Sequence, residues 1–270
     1  MIATLIVLAA AGSGCGGDGS TASGEPGAGG VQRDVPYRHT RDHAGKPVTL
    51  RLDVYRPHSP AGRRPAIVWL FGGGFVAGNR ADMEPYAKAM AARGFVSATA
   101  DYRLATQAQI RTLGFDEVRR AAQGDGAAAV RWIQRHARGL GVDRRRVFIG
   151  GYSAGAVTAL GVATGAAGAI GGGGEAGGGG AGAAAAHPAG AVIIAGRVDP
   201  AAIDLRDAPL LWFHGRDDRT VPFEEAATAC RTARRRGLEC LLLPQPGGHE
   251  IVRTRFEVIV RRATAWLRRH

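Results

Sequence analysis

Five residues, Gly151-Tyr152-Ser153-Ala154-Gly155, constrain this chain more than any other stretch. They follow the apolar run Val147-Phe148-Ile149-Gly150 and lead into a small-residue helical stretch, Ala156 to Thr164. The pattern is Gly-x-Ser-x-Gly between a strand and a helix. A serine placed there sits on a tight, strained turn with its hydroxyl clear of the backbone. Only glycines two residues to either side leave room for that turn. A Gly-rich chain produces the pentapeptide by chance, so the strand before it and the helix after it carry the weight.

The remaining periodicities agree. Val48–Tyr55 alternates as a strand, and Ala66–Phe71 is a continuous apolar strand closed by Gly72-Gly73-Gly74. Further strands are predicted at Phe95–Ala100, Arg146–Gly150, Ala191–Ala195, Pro209–Phe213 and Leu238–Leu243. Helices are predicted at Ala81–Arg93, Glu117–Arg138, Glu224–Arg236 and Arg253–His270. Strands alternating with helices imply a mostly parallel sheet covered on both faces, with ligands bound at the carboxyl ends of the strands. A segment at about 165–188 is almost pure Gly and Ala and reads as a disordered insertion in a loop, which costs a fold little.

From about Val48 to His270 the chain resembles a bacterial carboxylesterase of the α/β-hydrolase superfamily. Leu52-Asp53-Val54-Tyr55-Arg56-Pro57, Phe71–Gly78, Asp101-Tyr102-Arg103-Leu104, Ala129-Val130-Arg131-Trp132-Ile133, Gly151–Gly155, His214–Pro222 and Gly248-His249 carry the likeness. The resemblance implies the α/β-hydrolase fold, with about eight strands and little or no lid. Its nearest flavour is feruloyl- and acetyl-esterase-like, related to the hormone-sensitive lipases.

On that fold the catalytic groups follow in the order serine, acid, histidine. Ser153 is the nucleophile: beyond residue 23 the other serines are Ser59, in a Pro-rich turn, and Ser97, within a strand. The base is His249, on the loop after the last strand; His187 borders the insertion, His270 is terminal and His214 reads as a packing residue. His214-Gly215-Arg216-Asp217-Asp218-Arg219-Thr220-Val221-Pro222 resembles the family pattern His-Gly-x-x-Asp-x-x-Val-Pro. Its register falls on Asp218 as the acid, ahead of the neighbouring Asp217 and of Asp199. Phe71-Gly72-Gly73-Gly74-Phe75 matches the His-Gly-Gly-Gly oxyanion motif, with Phe71 in the histidine position. By resemblance the donors are the backbone N–H groups of Gly73, Gly74 and Ala154, each worth roughly 3 kcal/mol to the transition state. No metal and no nucleotide cofactor is implied. Arg103 and Asp125 are expected in buried ion pairs.

Residues 1–30 stand apart from the domain expected over 31–270. Ile2 to Ala10 form an export-type apolar segment, and Gly12-Ser13-Gly14-Cys15 resembles a degenerate lipobox, with Gly12 where leucine is usual. Export is expected, either as a secreted protein or as a cell-envelope lipoprotein tethered through Cys15. Cys230 and Cys240 suit an oxidising compartment, and both a bridge and two buried thiols are compatible with their placement.

Net charge is +12, and only Lys46 and Lys88 among the 35 basic residues are lysine. So skewed a ratio, beside so much Gly and Ala, points to a GC-rich genome rather than a nucleic-acid groove. Weak attraction to anionic lipids or acidic polysaccharides fits better, and salt would screen it.

The expected partner is a small or polysaccharide-borne ester. Only Gly196 to Ala208 separates the strands between which many family members insert a lid, so an open cleft for short acyl groups is expected. Two other readings are a serine peptidase or amidase of the prolyl-oligopeptidase type and an inactive, tethered binding protein.

Overall fold

The computed structural model describes residues 30–58, 62–165, 186–203 and 207–270. The leader, Ser59 and most of the Gly/Ala insertion lie outside the described residues. Two parts of the insertion as predicted lie inside them: Ala186 packs against the core, and the His187 carbonyl accepts from Gln134 Nε2 at 3.2 Å.

Eight strands form one sheet in the order β1-β2-β4-β3-β5-β6-β7-β8. They are β1 Val31–Arg41, β2 Pro47–Tyr55, β3 Arg64–Leu70, β4 Val96–Ala100, β5 Val142–Tyr152, β6 Ala191–Ile194, β7 Leu210–Gly215 and β8 Cys240–Gln245. β1 and β2 pair antiparallel, as do β2 and β4; every later pairing is parallel. β6 and β7 are buried throughout, and β3 over Ala66–Leu70, because helices cover both faces, which is why they read as unbroken apolar runs.

The helices are α1 Glu84–Ala91, α2 Gln107–Leu113, α3 Phe115–Arg135, α4 Ala137–Leu140, α5 Ala154–Ala163, α6 Phe223–Arg235, α7 Ile251–Thr254 and α8 Phe256–Arg269. Three predicted helices are each divided. Residues Arg80–Met83 form a separate 3-10 turn capped by Asn79, and α1 then starts with Pro85 in its first turn. The helix predicted over Glu117–Arg138 ends at His136, whose ring stacks on Trp132 with centroids 4.0 Å apart, and α4 follows. The last helix is α7 and α8 joined at Arg255. Two elements were not predicted: β1 at the sheet edge, and α2.

Trp69 on β3 is fully buried, and a Cβ added at Gly150 of β5 would lie 2.6 Å from its ring. The strand before the serine therefore owes its glycine to a neighbouring indole. Full burial of side chains such as Ile67, Phe148 and Ile149 contributes roughly 1.5–3 kcal/mol each.

Two buried carboxylates fasten the edge hairpin to the rest. Asp125 on α3 takes Arg38 of β1 at 2.7 Å and Arg103 Nε at 2.9 Å, the pairing expected for Arg103 and Asp125. Asp53 on β2 takes Arg80 Nε at 3.0 Å and Arg33 at 3.3 Å. Arg80 also reaches Asp101 at 2.9 Å, and it pairs with Asp34. A bridge joins Cys230 of α6 to Cys240 of β8, which decides between the two states left open for that pair.

Candidate active site

The carboxyl ends of β5, β7 and β8 deliver three side chains to one place. Ser153 follows β5, Asp218 follows β7 and His249 follows β8. Ser153 Oγ lies 2.9 Å from His249 Nε2, and His249 Nδ1 lies 2.8 Å from Asp218 Oδ2. A carboxylate only accepts, so Nδ1 carries the hydrogen and Nε2 presents a lone pair to the serine hydroxyl. The arrangement can draw a proton from Ser153 while the charge arising on the imidazole faces Asp218.

The turn that holds Ser153 is strained and enforced. Its φ is 51° and its ψ is −116°, a conformation costing about 1–3 kcal/mol for a non-glycine residue. Ser153 N–H donates to the Ile194 carbonyl at 3.0 Å, and Ser153 O accepts from Val157 N at 2.9 Å. Both flanking glycines stand where no side chain fits. A Cβ at Gly151 would meet the Gly155 backbone at 2.4 Å, and one at Gly155 would meet the Leu70 carbonyl oxygen at 2.3 Å.

Asp218 is held by its own turn. Its Oδ1 accepts from Thr220 N and Val221 N, both at 2.9 Å. Its side chain is fully buried, and His214 adds a further contact: Nε2 of His214 lies 3.3 Å from Asp218 Oδ2 and 2.8 Å from the Val221 carbonyl. That carbonyl fixes the hydrogen on Nε2, so one N–H is shared between the two oxygens. Asp217 is exposed, with its backbone N–H bonded to the Gly247 carbonyl at 3.1 Å. Asp199 caps the turn Pro200–Ala202 instead of joining the histidine.

Across the cleft, Phe71 to Phe75 form a tight loop. Gly73 O accepts from Val76 N and Ala77 N, both at 3.1 Å. No protein acceptor among the described residues takes the N–H groups of Gly73 and Gly74, and Ala154 N–H is one of the free donors of the first turn of α5. Gly74 has a φ of 63° and faces open space. Phe71 stacks on Tyr102 with centroids 4.3 Å apart, and Tyr102 OH donates to the Phe71 carbonyl at 2.8 Å. The Asp101-Tyr102-Arg103-Leu104 motif thus braces the glycine loop, and phenylalanine in the histidine position is anchored by its ring. Gly72–Gly74, Ser153 and His249 line one cavity of about 810 Å³ together with Met83, Tyr86 and Phe256.

A solved esterase from Thermogutta terrifontis, Est2 with propionate bound, superposes with a TM-score of 0.71. It is 25% identical over 90% of this chain and 94% of its own. The chain has the α/β-hydrolase fold.

Other comparisons find similarity to parts of esterases and hydrolases. A family model described as BD-FAE matches residues 52–169. Pyrethroid hydrolase Ces2a of Mus musculus is 38% identical over 114 residues, which is 39% of this chain and 19% of that protein. Para-nitrobenzyl esterase of Bacillus subtilis is 30% identical over 112 residues, 40% of this chain and 23% of that protein. The chain spans about a fifth to a third of the curated relatives it matches first.

Ser153, Asp218 and His249 are brought together in the structure, and Gly73 and Gly74 flank the serine's cleft while Ala154 follows Ser153 in sequence. His214 was read as packing alone and proves to touch the acid, a contact that no sequence signal separates from simple packing. Burial holds the His214 imidazole below the ordinary value of 6.5, against the raising effect of its bond to Val221 O. The unfolded chain therefore takes up a proton near 6.5 where the folded one does not. This contribution is complete above that pH and is lost as pH falls below it, down through the folded-state value. His214→Asn is expected to flatten the fall of Tm below pH 6.5. It should lower kcat roughly tenfold at unchanged KM, the value of one hydrogen bond to a charged group. A packing role alone would leave kcat of the folded protein where it was.

Proposed function

We propose that this protein is a serine carboxylesterase acting on short-chain, acetyl or aryl carboxylic esters. The observation that carries the reading is the unbroken chain of contacts from Ser153 through His249 to Asp218 at 2.9 and 2.8 Å. Ser153 Oγ attacks the ester carbonyl as His249 Nε2 takes its proton. The oxyanion is met by the N–H groups of Gly73, Gly74 and Ala154, and His249 then protonates the departing alcohol. Water, activated by the same imidazole, releases the acid. Asp218 holds the Nδ1–H tautomer throughout. Support also comes from the T. terrifontis esterase, whose solved forms include a propionate complex and an adduct phosphonylated by cyclosarin.

The substrate class follows from the cleft. Tyr86 and Phe256 meet edge to face with centroids 4.8 Å apart and form an apolar wall beside Met83. Such a wall suits a flat ring or a short acyl chain. The link between β6 and β7 is too short to roof the site. A p-nitrophenyl ester series from acetate to dodecanoate, with the matching anilides, tests this. We expect the highest kcat/KM at the short end and far slower anilide cleavage. A maximum at the long end would remove the open-cleft reading, and equal anilide rates would favour an amidase. The enzyme works in an oxidising compartment, outside the cytoplasm; the Cys230–Cys240 bridge supports that placement.

A further inference from the structure

The helices that cover the sheet run antiparallel to its strands. Each therefore starts at the catalytic end and finishes at the opposite one. First turns carry acids: Glu84 on α1, Asp116 and Glu117 on α3, Glu224 and Glu225 on α6. Last turns carry bases, among them Arg135 on α3 and Arg268 and Arg269 on α8. Complementing helix dipoles accounts for part of this. It does not account for Arg144 and Arg145, which belong to the start of β5, nor for their gathering with Arg138 of α4, Arg135, Arg268 and Arg269 at one pole. All six are exposed, and none forms an ion pair among the described residues. Among the described residues Asp143, Asp207 and Glu239 are carboxylates at that end, and each is engaged. Asp143 accepts from Arg145 N at 3.0 Å, and Glu239 accepts from Trp266 Nε1 and faces His270, each at 3.2 Å.

The same pole is where the described chain begins. Val31 pairs with Tyr55, and Tyr55 pairs with Ser97 near the start of β4. Arg56 N–H donates to the Gly30 carbonyl at 2.9 Å. Twenty-nine residues precede Gly30, and they carry the apolar stretch Ile2–Ala10 and Cys15. Ser153 lies at the other end of β5, six residues beyond Val147 and so roughly 20 Å along the strand.

We infer that the arginine pole is a docking face for an anionic phospholipid surface, seating the domain with its catalytic mouth turned away from the bilayer. The phospholipid is favoured over a soluble polyanion because the cluster shares its pole of the sheet with Gly30, which follows the apolar leader in sequence. Each arginine near such a surface adds severalfold to binding, and the effect decays within a Debye length.

The test is co-sedimentation of the full chain carrying Cys15→Ser, so that no acyl chain contributes. The vesicles are phosphatidylcholine alone, or equal parts phosphatidylcholine and phosphatidylglycerol. Any affinity of the leader itself shows on the neutral vesicles. We expect much tighter binding to the anionic vesicles, released by raised salt. The variant Arg144→Glu, Arg145→Glu, Arg268→Glu, Arg269→Glu should lose that increment, roughly tenfold or more. The control Arg111→Glu, Arg120→Glu, Arg197→Glu, Arg216→Glu makes the same change in net charge at the catalytic end and should lose little. Equal losses in both variants would overturn the inference in favour of net charge alone. Equal binding of the parent to both vesicle types would also overturn it, and so would salt-sensitive capture by polygalacturonate without capture by the anionic vesicles. If a variant fails to fold, neutralisation by glutamine in place of arginine at the same two sets of four positions carries the same comparison, and equal losses there would likewise overturn the inference.

Discussion

Ser153→Ala is expected to lower kcat for p-nitrophenyl acetate by about a million-fold while leaving the fold and its Tm nearly untouched. The substitution deletes one oxygen. The turn's backbone anchors, Ser153 N to Ile194 O and Val157 N to Ser153 O, remain, and alanine tolerates the φ of 51° no worse than serine does. The hydroxyl's partner, His249 Nε2, sits at the edge of a cavity and can turn to water, so no buried polar group is stranded. Residual hydrolysis would come from the oxyanion donors and binding alone. Paired measurements of esterase turnover and thermal melting check the outcome. Equal hydrolysis by the parent and the variant, both at the background rate, would favour the inactive tethered protein.

The second large effect falls on stability. Asp125 is fully buried and meets two guanidiniums, Arg38 at 2.7 Å and Arg103 at 2.9 Å, while also accepting from Arg103 N at 3.0 Å. Its removal leaves positive charge facing a gap in the interior, a change that costs about 3–5 kcal/mol when one partner of a buried pair is deleted. In a domain of this size Asp125→Ala should then lower Tm by roughly 10 °C. Asp125→Asn keeps an acceptor but not the charge and should fall between. Turnover measured well below the melt should survive in both variants, because Asp125 braces β1 against α3 and touches none of the reacting groups. A Tm loss of only a degree or two for the alanine variant would show that the two arginines find other partners without penalty.

The elements that carried the sequence reading are those whose local chemistry admits one solution. Gly151 and Gly155 are required by backbone approaches of 2.4 and 2.3 Å, so their spacing around Ser153 is a direct imprint of geometry. The buried strands β3, β6 and β7 announce themselves as apolar runs because they have no wet face. β1 was invisible for the opposite reason. It is an edge strand with register shifts at Val35 and Arg38, mostly exposed, and its residues alternate no apolar face. α2 has no fully buried residue, only Ile110 packing in part against the core, and is defined by the reciprocal cap between Thr106 and Gln109, a signal too local to stand out. The acid could be placed by motif register, but the contact of His214 with it could not. A histidine buried at a strand end looks the same from the sequence whether its N–H meets a carbonyl alone or shares a carboxylate.

Arg80 bears on how the site works over time. Its guanidinium engages Asp34, Asp53 and Asp101, from β1, β2 and the end of β4, while its own turn leads into Met83 and the wall of the cleft. A wall pinned to three parts of the sheet through one cation does not swing as a gate. A substrate of the proposed esterase would meet a wall already formed, and its selectivity would rest on that wall's shape.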